Sequence, residues 1–192
     1  MCARVVGIDL AASAAKLSGF CLLEDSTAKT ALLRFDRELV AAVRASRPAL
    51  VAIDAPMLGL PRRGRLRAAE RALARLGVRF FPPRGMPGME GLVSRARALR
   101  RALIGLGFEV IEVFPGAVKQ LHGIKARDRA AIAAFLRSKK VSLERGRGLD
   151  ELDAVLAAWT ASLHLKRATI AVGGPKGIVL PKCKELIRRM KR

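Results

Sequence analysis

The chain opens on short apolar runs bounded by polar clusters, the pattern of strands rather than of helices. Residues 3–9 form the first run. Small and polar residues at 11–16 separate it from a second at 17–23, and Asp25-Ser26 is a turn signal ahead of a third at 30–35. Three strands with links this short predict an antiparallel meander. The period then changes. Asp36 stands where an N-cap belongs, ahead of a helical stretch that begins Glu38-Leu39-Val40 and ends before Pro48. A fourth strand, 49–53, runs into Asp54-Ala55-Pro56. The helix between the meander and this strand is the crossover that a parallel pairing requires.

A looser stretch follows over about 57–88. It holds the basic loop Pro61-Arg62-Arg63-Gly64-Arg65, an Arg/Ala/Leu helix near 66–76, and a Pro/Gly-rich segment at 81–88. The pattern then predicts a long helix at 89–105, closed by Gly107, and a fifth strand over 108–114, stopped by Pro115. Short helices are expected at 116–121 and 127–138, then a Gly/Arg loop at 145–148. The clearest helix covers 149–165, where Leu152, Val155, Leu156, Trp159 and Leu163 recur at helical spacing. A hairpin (168–172 and 177–181, turned by Gly173-Gly174-Pro175-Lys176) and a basic helix close the chain. The expected architecture is α/β: a mixed five-stranded sheet, a meander plus parallel strands, flanked by helices. At 192 residues the chain is long enough for one packed domain, 1–192, and too short for two.

Composition narrows the function classes. The hydrophobic fraction is 51%, yet the longest apolar runs are strand-sized and predict no membrane span. The N-terminus turns polar too soon for a signal peptide, so a cytoplasmic protein with no membrane partner is expected. Cys2, Cys21 and Cys183 are odd in number and have no C-x-x-C spacing, which fits neither a disulfide framework nor a zinc site. His122 and His164 sit in helical settings outside any motif and read as structural. Lys and Arg total 37 against 16 acidic residues, a formal net charge of +21. That excess favours a polyanion, and nucleic acid, DNA or RNA, is the expected partner. Only 4% of residues are aromatic and none is Tyr, so contacts to phosphate rather than base stacking are expected. Self-association into a homodimer is left open by the sequence.

Against this basic background the carboxylates stand out. Val6-Gly7-Ile8-Asp9-Leu10 and Val51-Ala52-Ile53-Asp54-Ala55 share one frame: apolar, small, Ile, Asp. If their strands lie side by side and parallel, Asp9 and Asp54 emerge together at the carboxyl edge, where open α/β sheets place ligands. An ionised Asp closing a buried strand is costly unless a cation compensates it. Asp150 and Asp153 open the long helix three residues apart, on one face. Capping and the helix dipole suffice to explain Asp150. Asp153 adjoins the apolar stripe and is expected to point towards the core side. Glu112 is a rival fourth ligand, because it lies near the end of strand five, whereas Glu109 faces the opposite way by two-residue periodicity. Carboxylates gathered this closely repel one another unless divalent cations neutralise them, and an all-oxygen donor set suits Mg²⁺ or Mn²⁺.

The order of elements, with Asp on strand one, Asp on strand four and Asp on a late helix, resembles the ribonuclease H-like superfamily. Asp150-Glu151-Leu152-Asp153-Ala154 is similar to the closing helix of bacterial Holliday-junction resolvases. More closely, the chain resembles a family of uncharacterised proteins described only as predicted nucleases of ribonuclease H fold. Gly7-Ile8-Asp9-Leu10, Ala52-Ile53-Asp54-Ala55-Pro56, Glu112-Val113-Phe114-Pro115, the Asp150–Ala154 motif with Ala157-Ala158-Trp159-Thr160-Ala161, and Gly173-Gly174-Pro175 before Ile178-Val179-Leu180-Pro181 match that pattern in order.

The resemblance implies metal-dependent cleavage of phosphodiester bonds in structured nucleic acid. Two ions about 3.5 to 4 Å apart would activate water and stabilise the leaving oxygen. Asp9 would bridge both, Asp54 would complete one shell, and Asp153 with Asp150 or Glu112 the other. Arg62, Arg63, Arg65 and Arg67 follow the Asp54 strand and are candidate phosphate ligands. One alternative is a catalytically silent, basic nucleic-acid-binding protein on the same scaffold. A third reading comes from Gly7-Ile8-Asp9-Leu10-Ala11-Ala12-Ser13, which resembles the phosphate-binding hairpin of sugar-kinase and actin-like ATPases. Those proteins need two such domains, and no Gly-x-x-x-x-Gly-Lys loop offers another nucleotide site.

Overall fold

The computed structural model describes residues 3–61, 63–144 and 148–191. The apolar runs at the start form β1 (Val5–Asp9), β2 (Ser18–Glu24) and β3 (Thr27–Leu33). They pair antiparallel in chain order, with Asp9 opposite Gly19 and Ser18 opposite Leu33. The turn at Asp25-Ser26 has positive φ at both residues, 47° and 67°, the primed geometry whose twist matches that of paired strands.

α1 (Asp36–Ser46) crosses over to β4 (Leu50–Asp54), which lies parallel to β1 on its other side. Asp36 is the first helical residue rather than the N-cap, which is Phe35. Its carboxylate accepts instead from Arg95 at 2.7 Å. α2 (Ala68–Arg75) and α3 (Met89–Gly105) lead to β5 (Val110–Glu112), parallel to β4. β5 is shorter than its apolar run, because Phe114 leaves the sheet to start α4 (Pro115–Leu121) and pack in a separate cluster. α5 (Arg129–Ser138), β6 (Ser142–Leu143) and α6 (Leu149–Leu165) follow. The hairpin β7 (Thr169–Val172) and β8 (Ile178–Pro181) and the helix α7 (Lys184–Met190) complete the order.

The main sheet therefore has six strands, ordered β5-β4-β1-β2-β3-β6, where five were expected. The sixth has two residues and no apolar alternation to mark it in sequence. It exists because the chain passes the sheet edge: Ser142 donates its N–H to the Ser26 carbonyl and Glu144 donates to that of Ala28.

Strand periodicity divides the core. Val6, Ile8, Phe20, Val51 and Ile53 pack on one face against Leu39 and Val43 of α1 and Ala96, Leu99 and Leu103 of α3. Val5, Cys21, Leu23, Leu50 and Ala52 face the other way, onto α6 and α5. A third cluster joins α2, α4, α7 and the β7–β8 hairpin. Among the described residues no helix is long and apolar enough to cross a membrane.

Close backbone approach fixes α6. A Cβ on Gly7 would lie 2.1 Å from the Ala154 carbonyl oxygen and 2.3 Å from the Ala158 nitrogen; one on Gly19 would lie 2.0 Å from the Asp150 carbonyl oxygen. No side chain tolerates such distances. Glycine at these two positions, with Ala154, Ala157, Ala158 and Ala161 fully buried on the helix, lets α6 lie directly on β1 and β2.

Candidate metal centre

β1 and β4 pair so that Asp9 stands directly opposite Asp54, with Ile8 opposite Ile53 behind them. The matched frames thus become a matched register, and the two half-buried carboxylates share one strand end. α6 brings the other two aspartates to the same edge. Its first turn is anchored by Glu151, which accepts from the Gly148 N–H at 3.1 Å and from the Thr30 hydroxyl at 2.9 Å. Asp150 is exposed. With Asp9, Ala11, Lys16 and Leu17 it lines a cleft of about 410 Å³. Asp153, one turn further on, lies deeper, its side chain 18% exposed.

Two cations complete the surroundings: Lys119, which the sequence did not single out, and Arg67, which was expected to hold phosphate and instead pairs with acids. Lys119 of α4 is buried and places its Nζ 2.8 and 2.7 Å from the two oxygens of Asp153. Arg67 donates to Glu112 at 2.6 and 3.1 Å and also pairs with Glu70. Glu112 accepts in addition from the Met57 N–H at 2.8 Å, so the chain leaving β4 is tied to β5 and to α2. The only sequence signal for Lys119 is its place beside Val118 in a run with Ala117 and Leu121, all of which are buried. A lysine whose charge stays buried there is costly unless an acid neutralises it.

The electrostatics follow from this crowding. Burial pushes the Asp9 carboxyl up to about 8, helped by the charges of Asp153 and Asp150 and opposed by Lys119. Asp54 is also raised well above the usual carboxylate range, by burial and then by Asp9 and Asp153, again against Lys119. Asp153 is raised by burial, with Lys119 pulling the other way. Among the described residues no cation lies within ion-pairing distance of Asp9 or Asp54; the ion pairs at this edge are those of Arg67 and Lys119.

Arg63 and Arg65 are exposed, and Arg65 reaches the Gly85 carbonyl at 3.4 Å. Arg67 is committed to buried carboxylates. Arg62 lies outside the described residues, as do Cys2 and residues 145–147 of the Gly/Arg loop. His122 packs tilted against Phe135, with ring centres 4.6 Å apart, Phe135 meets Trp159 edge-on, and His164 shares a hydrogen bond with Thr169 at 2.8 Å. Cys21 and Cys183 are free thiols.

The donors suit a hard divalent cation. Among the described residues no three His, Cys, Asp or Glu side chains form a group that could hold a metal ion. Mg²⁺, however, is commonly held by one or two carboxylates plus waters and substrate phosphate. Asp9 and Asp54, side by side and with no ion-pair partner among the described residues, have that oxygen-only chemistry.

A solved structure described as "T. thermophilus RuvC in complex with Holliday junction substrate" superposes with a TM-score of 0.53 at 16% identity, over 85% of this chain and 96% of that one. The fold is ribonuclease H-like. The structure described as "Thermus thermophilus RuvC structure" is 17% identical over the same shares of the two chains, with a TM-score of 0.49. No family model matches the chain, and no curated protein matches it. In this ribonuclease H-like frame the aspartates of β1, β4 and α6 stand at one edge of the sheet, in the order in which the sequence carries them.

Proposed function

We propose that the chain is a divalent-metal-dependent nuclease acting on structured nucleic acid, with branched DNA the first substrate to try. The observation that carries this is the paired register of Asp9 and Asp54, two carboxylates with no counter-cation among the described residues. The shared fold with a RuvC that binds a Holliday junction supports the choice of branched substrate. A bound Mg²⁺ or Mn²⁺ would supply an activated water and stabilise the leaving oxygen of the phosphodiester. Asp9 and Asp54 would hold the ion, and Asp150, exposed at the rim, would orient a water or complete the shell. Glu112, clamped by Arg67 and the Met57 N–H, would hold the Asp54 loop in place. Exposed Arg63 and Arg65 would take phosphate oxygens.

Mn²⁺-dependent cleavage of a branched DNA panel is the expected result, with Asp9→Asn and Asp54→Asn abolishing cleavage while leaving binding intact. Salt-sensitive binding with no cleavage across DNA and RNA substrates would instead support a silent binder. One observation favours that second reading: Lys119 already neutralises Asp153.

A further inference from the structure

We infer that Lys119 is a built-in cation filling the Asp153 side of the aspartate edge, so that the site takes one divalent ion per chain instead of two. This rests on the metal reading of Asp9 and Asp54 given above.

The geometry is that of a fixed charge. Lys119 leaves α4 beneath the sheet edge and is 5% exposed. Its Nζ meets three acceptors, the two Asp153 oxygens at 2.8 and 2.7 Å and the Ala126 carbonyl at 3.3 Å. An ammonium has three N–H bonds to give, and all three are used. The side chain is therefore not free to reach a substrate phosphate. It acts through Asp153 as a positioning residue, and its charge also acts on Asp9 and Asp54.

A divalent ion at Asp153 would have to bind an oxygen that already accepts from the ammonium, and the two positive charges would repel each other. Mg²⁺ demands near-octahedral oxygen coordination, and a carboxylate that already accepts from a lysine through both oxygens is a poorer ligand for it. Removing the lysine alone would leave Asp153 as a buried, unpaired carboxylate, which is costly unless another cation replaces the lost one. The other buried acid of this edge, Glu112, is neutralised in the same manner by Arg67, so protein cations cover two acids and leave Asp9 and Asp54 for the metal.

Mn²⁺ binding to the full chain, followed by titration calorimetry and by the electron paramagnetic resonance of the bound ion, tests this. Wild type is expected to bind one Mn²⁺ with the spectrum of an isolated ion. Lys119→Met is expected to bind two, with a spin-coupled spectrum, and to gain more thermal stability from Mn²⁺ than wild type does. Lys119→Arg, which keeps the charge, stays at one. Lys119→Met/Asp153→Asn removes both charges, leaves no orphan carboxylate to compromise folding, and also stays at one. Two coupled ions in wild type, or a folded Lys119→Met still limited to one, would overturn the inference while leaving the metal site standing. A wild type that binds no Mn²⁺ at all would overturn the metal reading and this inference with it.

Discussion

An aspartate held at a strand end among other carboxylates keeps its proton to high pH, and for Asp9 burial with Asp153 and Asp150 moves release to about 8. In the unfolded chain the same group titrates near 3.8. Between those values the native state binds a proton that the unfolded state has lost, so stability falls as pH rises. Metal-free protein in chelator should melt several degrees lower at about pH 8 than at about pH 5. Asp54 and Asp153 are raised too and add to the same slope. Asp9→Asn should flatten it, and saturating Mn²⁺ should flatten it by holding the carboxylate ionised. Melting curves across this range decide the matter: stability rising with pH in chelator would show that the crowding is not felt.

At the scale of elements, the approach of α6 to β1 is the contact on which the site's geometry depends. Gly7→Ala would push a Cβ to 2.1 Å from the Ala154 carbonyl, against backbone that has no side-chain freedom to yield. The expected loss is about 3 kcal/mol, the upper end of overpacking, with the helix and Asp153 displaced from Asp9. Denaturant midpoints measure the first effect and Mn²⁺ affinity the second; an unchanged midpoint would rule out the tight contact. Elements of this kind were partly legible. The 149–165 helix, the meander and the Asp9/Asp54 strands follow from period and punctuation alone. β6 did not, because two residues paired to a sheet edge leave no periodic trace. The role of Arg67 was hidden as well: an arginine in the Arg-rich segment 62–67 looks solvated until Glu70 and Glu112 are seen to enclose it.

Over the whole molecule the excess of basic residues, +21 formal charge, sets the long-range behaviour. Part of that charge is spent internally. Arg188 and Arg189 pair with Glu185, Arg189 also holds the Leu76 carbonyl, and Arg95 joins Asp36 to the Ala11 carbonyl. If the chain binds nucleic acid as proposed, the remaining charge makes contacts to phosphate the main contribution. The logarithm of the association constant should therefore fall steeply with the logarithm of salt, by about 0.9 per phosphate neutralised on a duplex. Filter or anisotropy binding over a salt series measures the slope, and a flat response would remove nucleic acid as the partner.

The sequence by itself determined the order of the helices and of every strand but β6, the two matched Ile-Asp strand ends, the small residues that let α6 approach, and the basic excess. Each is written in local spacing or in composition, which no later packing can change. The tertiary structure decided which acids are left uncompensated. Glu112 and Asp153 acquire partners in Arg67 and Lys119 from α2's N-terminal edge and α4, well separated from them in the chain. Such pairings depend on distance through space in a poorly solvated core, where charge must be balanced locally. Among the described residues Asp9 and Asp54 meet no such cation, which is why they are the pair proposed to hold a metal.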